Sequence, residues 1–107
     1  MKHYTLYKFA KGTNLDEAGK KICEAFNELA KQLPWFSNPA IYKNCITRTS
    51  NADFMATFEI DSPAHLNSYL RHKIHEELIR SFGNSLLDRI SFDRFDETVN
   101  NNSEQQN

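Results

Sequence analysis

Glycine and cysteine are scarce in this sequence, and neither is arranged in a known functional motif. The 107 residues include three glycines and two cysteines, and we find no Gly-rich phosphate loop, no nucleophile elbow and no protease-type Cys/His pairing. Cys23 and Cys45 share no metal-type spacing with each other or with a nearby histidine. We therefore expect both cysteines to stay reduced and to pack as small apolar groups.

The sequence also lacks an excess of one charge and a long apolar run. Thirteen basic and fourteen acidic side chains are interspersed and give a formal charge of −1, which argues against nucleic acid or an anionic membrane as the main partner. The apolar stretch at the N-terminus is interrupted by Lys8 and Lys11 and is too short for a signal sequence or a membrane span. We expect a cytoplasmic protein with no nucleic-acid and no membrane partner.

The length suits a single domain followed by a short tail. A chain of 107 residues leaves no room for a second core. Residues 97–107 contain one apolar residue and no periodicity, which is typical of disorder. We predict one domain over residues 1–96 and a disordered polar tail over 97–107.

The first half of the domain reads as strand, helix and strand. Residues 3–9 are rich in aromatic and β-branched side chains, which favour a strand. Asn14 followed by Glu17 resembles a capping box and begins a helix, which Pro34 ends. Apolar residues recur along it at three- and four-residue steps (Leu15, Ala18, Ile22, Ala25, Phe26, Leu29 and Leu33). Residues 36–46 predict a weaker edge strand because they contain proline and several polar residues.

The second half predicts strand, helix and strand again. Residues 52–60 alternate apolar and polar side chains, which is typical of a half-buried strand. Ser62-Pro63 begins the next helix, and Gly83 is placed to end it. Its apolar residues recur every four positions (Leu66, Leu70, Ile74, Leu78 and Phe82). The last strand is predicted over 87–95.

The order β-α-β-β-α-β predicts an α+β, ferredoxin-like fold: a four-stranded antiparallel sheet with both helices on one face. Tyr4, Leu6 and Met55 have the opposite parity to the core residues of their strands, so they fall on the face that the helices leave open. Such an apolar face exceeds what monomers usually expose. We expect a homodimer formed through the sheet faces.

Three segments carry a family resemblance over about residues 2–95. The first is KHYTLYKF, the second is TFEIDSPAHLNSYLRHKIHEEL and the third is the closing RISFD. Together they resemble the stress-responsive dimeric α/β-barrel (Dabb) domain family, which includes polyketide cyclases of the olivetolic acid cyclase type. The resemblance implies two ferredoxin-like chains whose sheets form a closed barrel, and it implies no metal and no organic cofactor.

The resemblance also supplies candidate catalytic residues. In the cyclases, the last histidine of an H-P-x-H motif and the tyrosine six residues before it act on a β-keto substrate; here these positions are His75 and Tyr69, and His3 matches a further pocket histidine. An aldol closure needs a base near the acidic carbon and a donor to the oxyanion. Two departures stand out. Phe54 replaces a cyclase histidine, and Lys73 replaces the motif's proline.

The replacement of the motif's proline by Lys73 affects where His75 points. On an unbroken helix, six residues advance about 600°, which leaves Tyr69 and His75 roughly 120° apart. The family arrangement therefore requires the helix to break near His72 despite Lys73. If the helix ran on, His75 would turn away from the pocket.

Each candidate has a simpler explanation. Tyr69 could be a core-edge residue, His3 a polar strand end, and His75 a structural histidine bonded to the backbone. His65, Tyr69 and His72 share one side of a continuous helix, but no carboxylate or cysteine completes a metal site.

Three classes of function stay open, because family membership does not specify chemistry. We favour a Dabb domain that binds a small apolar ligand between sheet and helices without turnover. The alternatives are a cofactor-independent cyclase or lyase acting on a β-keto substrate, and a haem-binding or antibiotic-biosynthesis-type monooxygenase.

Overall fold

The element order confirms the predicted ferredoxin-like fold. A computed structural model describes residues 1–96, and the predicted tail over 97–107 lies outside them. The four strands form one antiparallel sheet in the order β2-β3-β1-β4. The elements are β1 (Lys2–Phe9), α1 (Leu15–Gln32), β2 (Phe36–Lys43), β3 (Phe54–Ile60), α2 (Ala64–Leu70), α3 (Lys73–Phe82), a 3₁₀ turn (Gly83–Ser85) and β4 (Leu86–Arg94).

The core lies between the sheet and the helices and is largely aromatic. Phe26 of α1 packs edge-on against Phe36 of β2 and Phe58 of β3, with ring centroids 6.0 and 5.6 Å apart. Phe9 of β1 packs in the same way against Phe82 of α3, at 4.9 Å. Edge-to-face pairs of this kind add stability beyond the apolar area they bury. The packed rings set the distance between the sheet and the layer of helices that covers it.

The opposite face of the sheet is apolar and open. Leu6 of β1 lies opposite Ile90 of β4, and Tyr4 lies opposite Phe92. Ile90 is 57% and Phe92 64% exposed. A shallow groove of about 320 Å³ runs between these side chains and Met55. The outer sheet face, meaning these five residues, is therefore unpaired in a single chain.

The second helical segment is broken, although its apolar residues continue at four-residue steps. α2 ends at Leu70 and α3 begins at Lys73. His72 between them has an extended backbone, and its Nδ1 accepts a hydrogen bond from the Ile74 N–H at 3.1 Å. The Nδ1–H of His75 donates to the Leu70 carbonyl, also at 3.1 Å. Two histidine side chains thus satisfy backbone groups freed at the break, which explains why no proline is needed.

The prediction that both cysteines pack as apolar groups is wrong, because Cys23 and Cys45 are both exposed. Cys23 follows the buried Ile22 on α1 and so points away from the sheet. Cys45 lies in the loop after β2.

Two predicted strands are shorter than expected at the loop that joins them. β2 ends at Lys43 and β3 begins at Phe54. Asn44 explains the difference, because its N–H bonds the Asp53 carbonyl and its side-chain amide donates to the Ala52 carbonyl. The backbone bond carries the pairing one residue beyond Lys43 and Phe54, and the Asn44 side chain then bonds the backbone of the loop, which ends the ladder there. Within residues 1–96, no helix is both long and apolar enough to cross a membrane.

Candidate functional site

Several polar side chains are buried where β1 passes under α2 and α3. The alternation along β1 points His3, Thr5 and Tyr7 toward the helices. Tyr69 of α2 and His75 of α3 lie above these strand residues. The side chains of Tyr69 and His75 are only 1% and 4% exposed. We call His3, Tyr69 and His75 the polar cluster. Buried polar groups are costly unless they are hydrogen-bonded or serve a ligand, so each bond in this region matters.

His3 is held at both ring nitrogens. Its Nδ1–H donates to the Asp93 carboxylate at 2.5 Å, and its Nε2 lies 2.9 Å from the Thr5 hydroxyl. The pairing of β1 with β4 sets His3 directly opposite Asp93, so the contact follows from strand register. The ring can neither flip nor rotate without losing a bond.

Tyr69 lies between the two imidazoles of the cluster. Its ring centroid is 5.7 Å from that of His3 and 4.6 Å from that of His75. Burial raises the pKa of Tyr69 well above its usual value; the nearby Tyr7 hydroxyl adds to this, and the positive charge of Arg89 opposes it. The phenol therefore stays protonated at neutral pH and is able to donate a hydrogen bond.

His75 is neutral and has a defined tautomer. Burial, and after it the charge of Arg89, lower the pKa of His75 to about 4, although the bond to the Leu70 carbonyl acts in the opposite direction. Because Nδ1 donates to Leu70, Nε2 carries the lone pair. That nitrogen accepts from Nη1 of Arg89 at 3.1 Å.

A groove between α3 and β4 gives access to His75. Its volume is about 330 Å³ and it opens broadly to solvent. Of the polar cluster, His75 lines it, whereas His3 and Tyr69 are covered. We call this the α3–β4 groove; its lining residues are Leu70, His75, Glu76, Ile79, Arg80 and Arg89. The structure thus brings the three predicted site residues together and exposes one of them at a surface opening.

One buried hydroxyl beside the cluster lacks a partner. Within residues 1–96, the Tyr7 Oη makes no hydrogen bond of good geometry, although the side chain is fully buried and the Tyr69 hydroxyl lies close enough to act on it. Burial raises the pKa of Tyr7 to about 12, while the charge of Arg89 and the Tyr69 hydroxyl lower it. Leaving such a group unsatisfied costs about 1–3 kcal/mol. A water molecule or a ligand oxygen would remove that cost.

Phe54, which replaces a cyclase histidine, lies away from His3. It lies opposite Tyr7, at the far end of β3 from Phe58, which is the residue that contacts His3. Its ring packs against Gly19 of α1 so closely that a β-carbon there would lie 2.8 Å from Phe54 Cε1. The departure at Phe54 therefore changes the sheet–helix packing and leaves the polar cluster untouched.

The histidines with metal-like spacing are separated by the helix break. His65 stacks on Trp35 with centroids 4.4 Å apart and pairs with Asp61, whereas His72 caps α3. Within the part of the chain that the structure describes, no three His, Cys, Asp or Glu side chains are grouped as metal ligands.

Sequence reasoning missed Thr5, Arg89 and Asp93. Asp93 ends the RISFD segment, and Arg89 precedes it by four residues, so both lie on the same face of β4. The alternation of side chains along β4 already places Arg89 and Asp93 on one face. Which residues of β1 they meet depends on the register between β1 and β4, which joins residues about 90 positions apart in the sequence.

The fold is that of a ferredoxin-like α+β domain, and a buried imidazole–phenol cluster lies between its sheet and its helices. The sequence matches the profile of the family described as "Stress responsive A/B Barrel Domain" (Dabb) over residues 1–96. The chain therefore belongs to the Dabb family, and the resemblance noted in its sequence is confirmed.

Solved structures share this fold at low sequence identity. An Arabidopsis thaliana protein is 18% identical, with a TM-score of 0.72 over 92% of this chain and 97% of that one. The hydroxynitrile lyase from Passiflora edulis is 10% identical, with a TM-score of 0.72 over 92% and 95%. A dimeric ferredoxin-like protein of unknown function from Thermobifida fusca is 21% identical, with a TM-score of 0.68 over 85% of each chain. No curated protein sequence matches significantly.

Proposed function

We propose that this chain forms a homodimer and binds a small, largely apolar molecule beside the polar cluster, entering by the α3–β4 groove. The observation that carries the proposal is the position of His75, a buried neutral imidazole that meets solvent at this groove. The unpartnered Tyr7 hydroxyl adds support, because its cost falls when a ligand or water oxygen reaches it. Cytoplasmic location stays a prediction from the sequence.

Dimerisation is supported by the outer sheet face. Apolar side chains from β1, β3 and β4 share this face, and two of them, Ile90 and Phe92, are more than half exposed. A second copy placed sheet to sheet would cover them, and a two-fold pair is the commonest closed assembly. The Thermobifida fusca neighbour is described as dimeric, which agrees with this arrangement.

The ligand proposal is tested by NMR titration of the backbone amides. The probes are hexanoate, hexanamide and 2-octanone, which all carry an unbranched alkyl chain but have different polar head groups. We expect at least one probe to shift amides of Leu70, Ile79 and Arg89 in a saturable way. His75→Gln should weaken that binding, while His65→Gln, which alters a histidine on the Trp35 side, should not. Absence of saturable shifts at the groove with every probe would contradict the proposal.

A second candidate is a cofactor-independent cyclase or lyase. His75 carries a lone pair at Nε2, which would have to give up its bond from Arg89 to act as a base, and Tyr69 offers a protonated phenol 4.6 Å away between ring centroids. His75 would take a proton from a carbon next to a carbonyl, and Tyr69 would donate to the carbonyl oxygen as it gains charge. His3, held by Asp93, would complete the site. This candidate ranks second because a pKa of about 4 makes His75 a weak base at neutral pH.

Proton exchange tests the catalytic candidate directly. Ethyl acetoacetate in deuterated water should exchange its α-protons faster with the protein than without it, and His75→Gln should remove the difference. Equal rates with wild type and buffer would contradict the enzymatic role without affecting the binding proposal.

The third class is a haem-binding or antibiotic-biosynthesis-type monooxygenase, and the haem-binding kind has little support. An axial histidine needs a free ring nitrogen to bind iron. Both ring nitrogens of His3 and of His75 are engaged by protein atoms. Binding haem would require breaking one of these contacts.

A further inference from the structure

We propose that Arg89 makes the α3–β4 groove a site for small carboxylates, with the anionic head on the guanidinium and an apolar tail along Leu70 and Ile79. This inference rests on the proposed function, because it names the ligand class of the same groove. It goes beyond the resemblance to the cyclases, which assigned no role to this position.

Arg89 carries a positive charge that the surrounding protein does not balance. Within residues 1–96, none of the ion pairs involves its guanidinium. The Asp88 carboxylate accepts from the Arg89 backbone N–H at 2.8 Å, but it does not pair with the side chain. By contrast, Arg94 on the same strand lies 3.6 Å from Asp96 and donates to the Tyr4 hydroxyl. Arg80 also lines the groove, but of the two arginines there only Arg89 is hydrogen-bonded to His75 within residues 1–96.

The donors of Arg89 are only partly used. A guanidinium has five N–H donors in a planar fork. One of its Nη1 hydrogens goes to His75 Nε2, and the structure gives the side chain no other hydrogen bond within the described residues. The remaining N–H groups match a carboxylate, which arginine binds through two parallel hydrogen bonds.

The rest of the groove fits an anion with an apolar body. The lining of the groove carries one net positive charge, because it contains two arginines, Arg80 and Arg89, and one glutamate, Glu76. His75 adds no charge, since it is neutral at physiological pH. Leu70, 37% exposed, and Ile79 supply apolar walls. A volume of about 330 Å³ lies at the small end of ligand sites, which selects a short monocarboxylate.

The experiment compares hexanoate with hexanamide, which have the same chain and nearly the same head shape but differ in charge. We expect the wild-type protein to bind hexanoate at least about tenfold more tightly, as a charge-assisted bond predicts. Arg89→Gln should weaken hexanoate binding about tenfold more than hexanamide binding and so remove this preference. Arg48→Gln is the matched control, because that side chain bonds only Ser50 in a distant loop, and it should keep the preference.

The outcomes separate this inference from the function on which it rests. Equal affinity of wild type for both probes would overturn the carboxylate assignment but leave ligand binding intact. Loss of the preference in Arg80→Gln, with its retention in Arg89→Gln, would overturn the role of Arg89. If neither probe shifts the amides of the groove, this inference fails, and the proposed function fails with it only when 2-octanone shifts none of them either. Arg89 is exposed, so the variant should fold, which unchanged thermal melting would verify.

Discussion

Nη1 of Arg89 on β4 donates to Nε2 of His75 on α3 across 3.1 Å. This contact connects the solvent-facing groove to the buried cluster, because His75 also packs against Tyr69. The direction of the bond requires an unprotonated Nε2, in agreement with the low pKa of the ring. A ligand anion on Arg89 would therefore change the surroundings of His75 without touching the core.

The first prediction concerns stability against pH. His75 titrates near 4 in the folded chain and near 6.5 when unfolded, so the unfolded state binds the proton first as pH falls. The stability from the neutral ring is complete above about pH 6.5, declines as pH drops to about 4 and levels off below it. It amounts to at most about 3 kcal/mol.

Urea unfolding at pH 7.5, 5.5 and 4.0 measures this effect. Wild type should lose more stability between the first and last values than His75→Gln does. If the free energy of unfolding fell equally with pH in wild type and in His75→Gln, the pKa of His75 would not be lowered by folding. His65→Gln is the control and should follow wild type.

The second prediction concerns the break between α2 and α3. His72→Ala should cost about 1 kcal/mol, since the Ile74 N–H loses its capping acceptor. Lys73→Pro should be neutral or slightly stabilising, because Lys73 occupies the first position of α3 and His72 already has the extended backbone that precedes proline. Chemical denaturation compares both with wild type. Strong destabilisation by Lys73→Pro would mean that the segment is continuous in solution.

The third prediction concerns Gly19, which lies inside α1 under the ring of Phe54. Replacing a helix-interior glycine by alanine normally gains about 1 kcal/mol. Here the new β-carbon would meet Phe54 Cε1 at 2.8 Å, so Gly19→Ala should instead destabilise by about 1–3 kcal/mol. The loss should shrink in a Phe54→Leu background, as a double-mutant cycle would show. A raised melting temperature for Gly19→Ala alone would contradict this packing.

The fourth prediction concerns the dimer. Phe92, 64% exposed on the outer sheet face, should be covered by the partner, so Phe92→Lys should yield monomers. Ile46→Lys changes a similarly exposed residue, 56%, in the loop after β2 and should remain dimeric. Light scattering at micromolar concentration measures the mass. A monomeric wild type would contradict an interface of more than about 1,000 Å².

The sequence predicted the fold well because its signals are local. Asn14 caps α1 through the Glu17 N–H as its spacing indicated, and the alternation in β3 gave the correct buried face. The pattern failed at the helix break, because four-residue apolar spacing does not reveal that His72 and His75 satisfy the freed backbone groups.

The site was predicted only in part for a different physical reason. The family resemblance supplied His3, Tyr69 and His75, but their partners come from β4, through a register that no local pattern contains. Arg89 and Asp93 become site residues only once β4 pairs with β1. The roles assigned to the polar cluster stay predictions until a ligand is tested.

The most direct measurement records the imidazole nitrogen signals of the four histidines while hexanoate is added. We expect Nε2 of His75 to shift most, because the ligand engages Arg89, and His3 to shift less, through Tyr69. His65, stacked on Trp35, and His72, capping α3, should not change. If His75 keeps its signals while hexanoate saturates the protein, or if no histidine responds at millimolar concentration, the α3–β4 groove is not the ligand site.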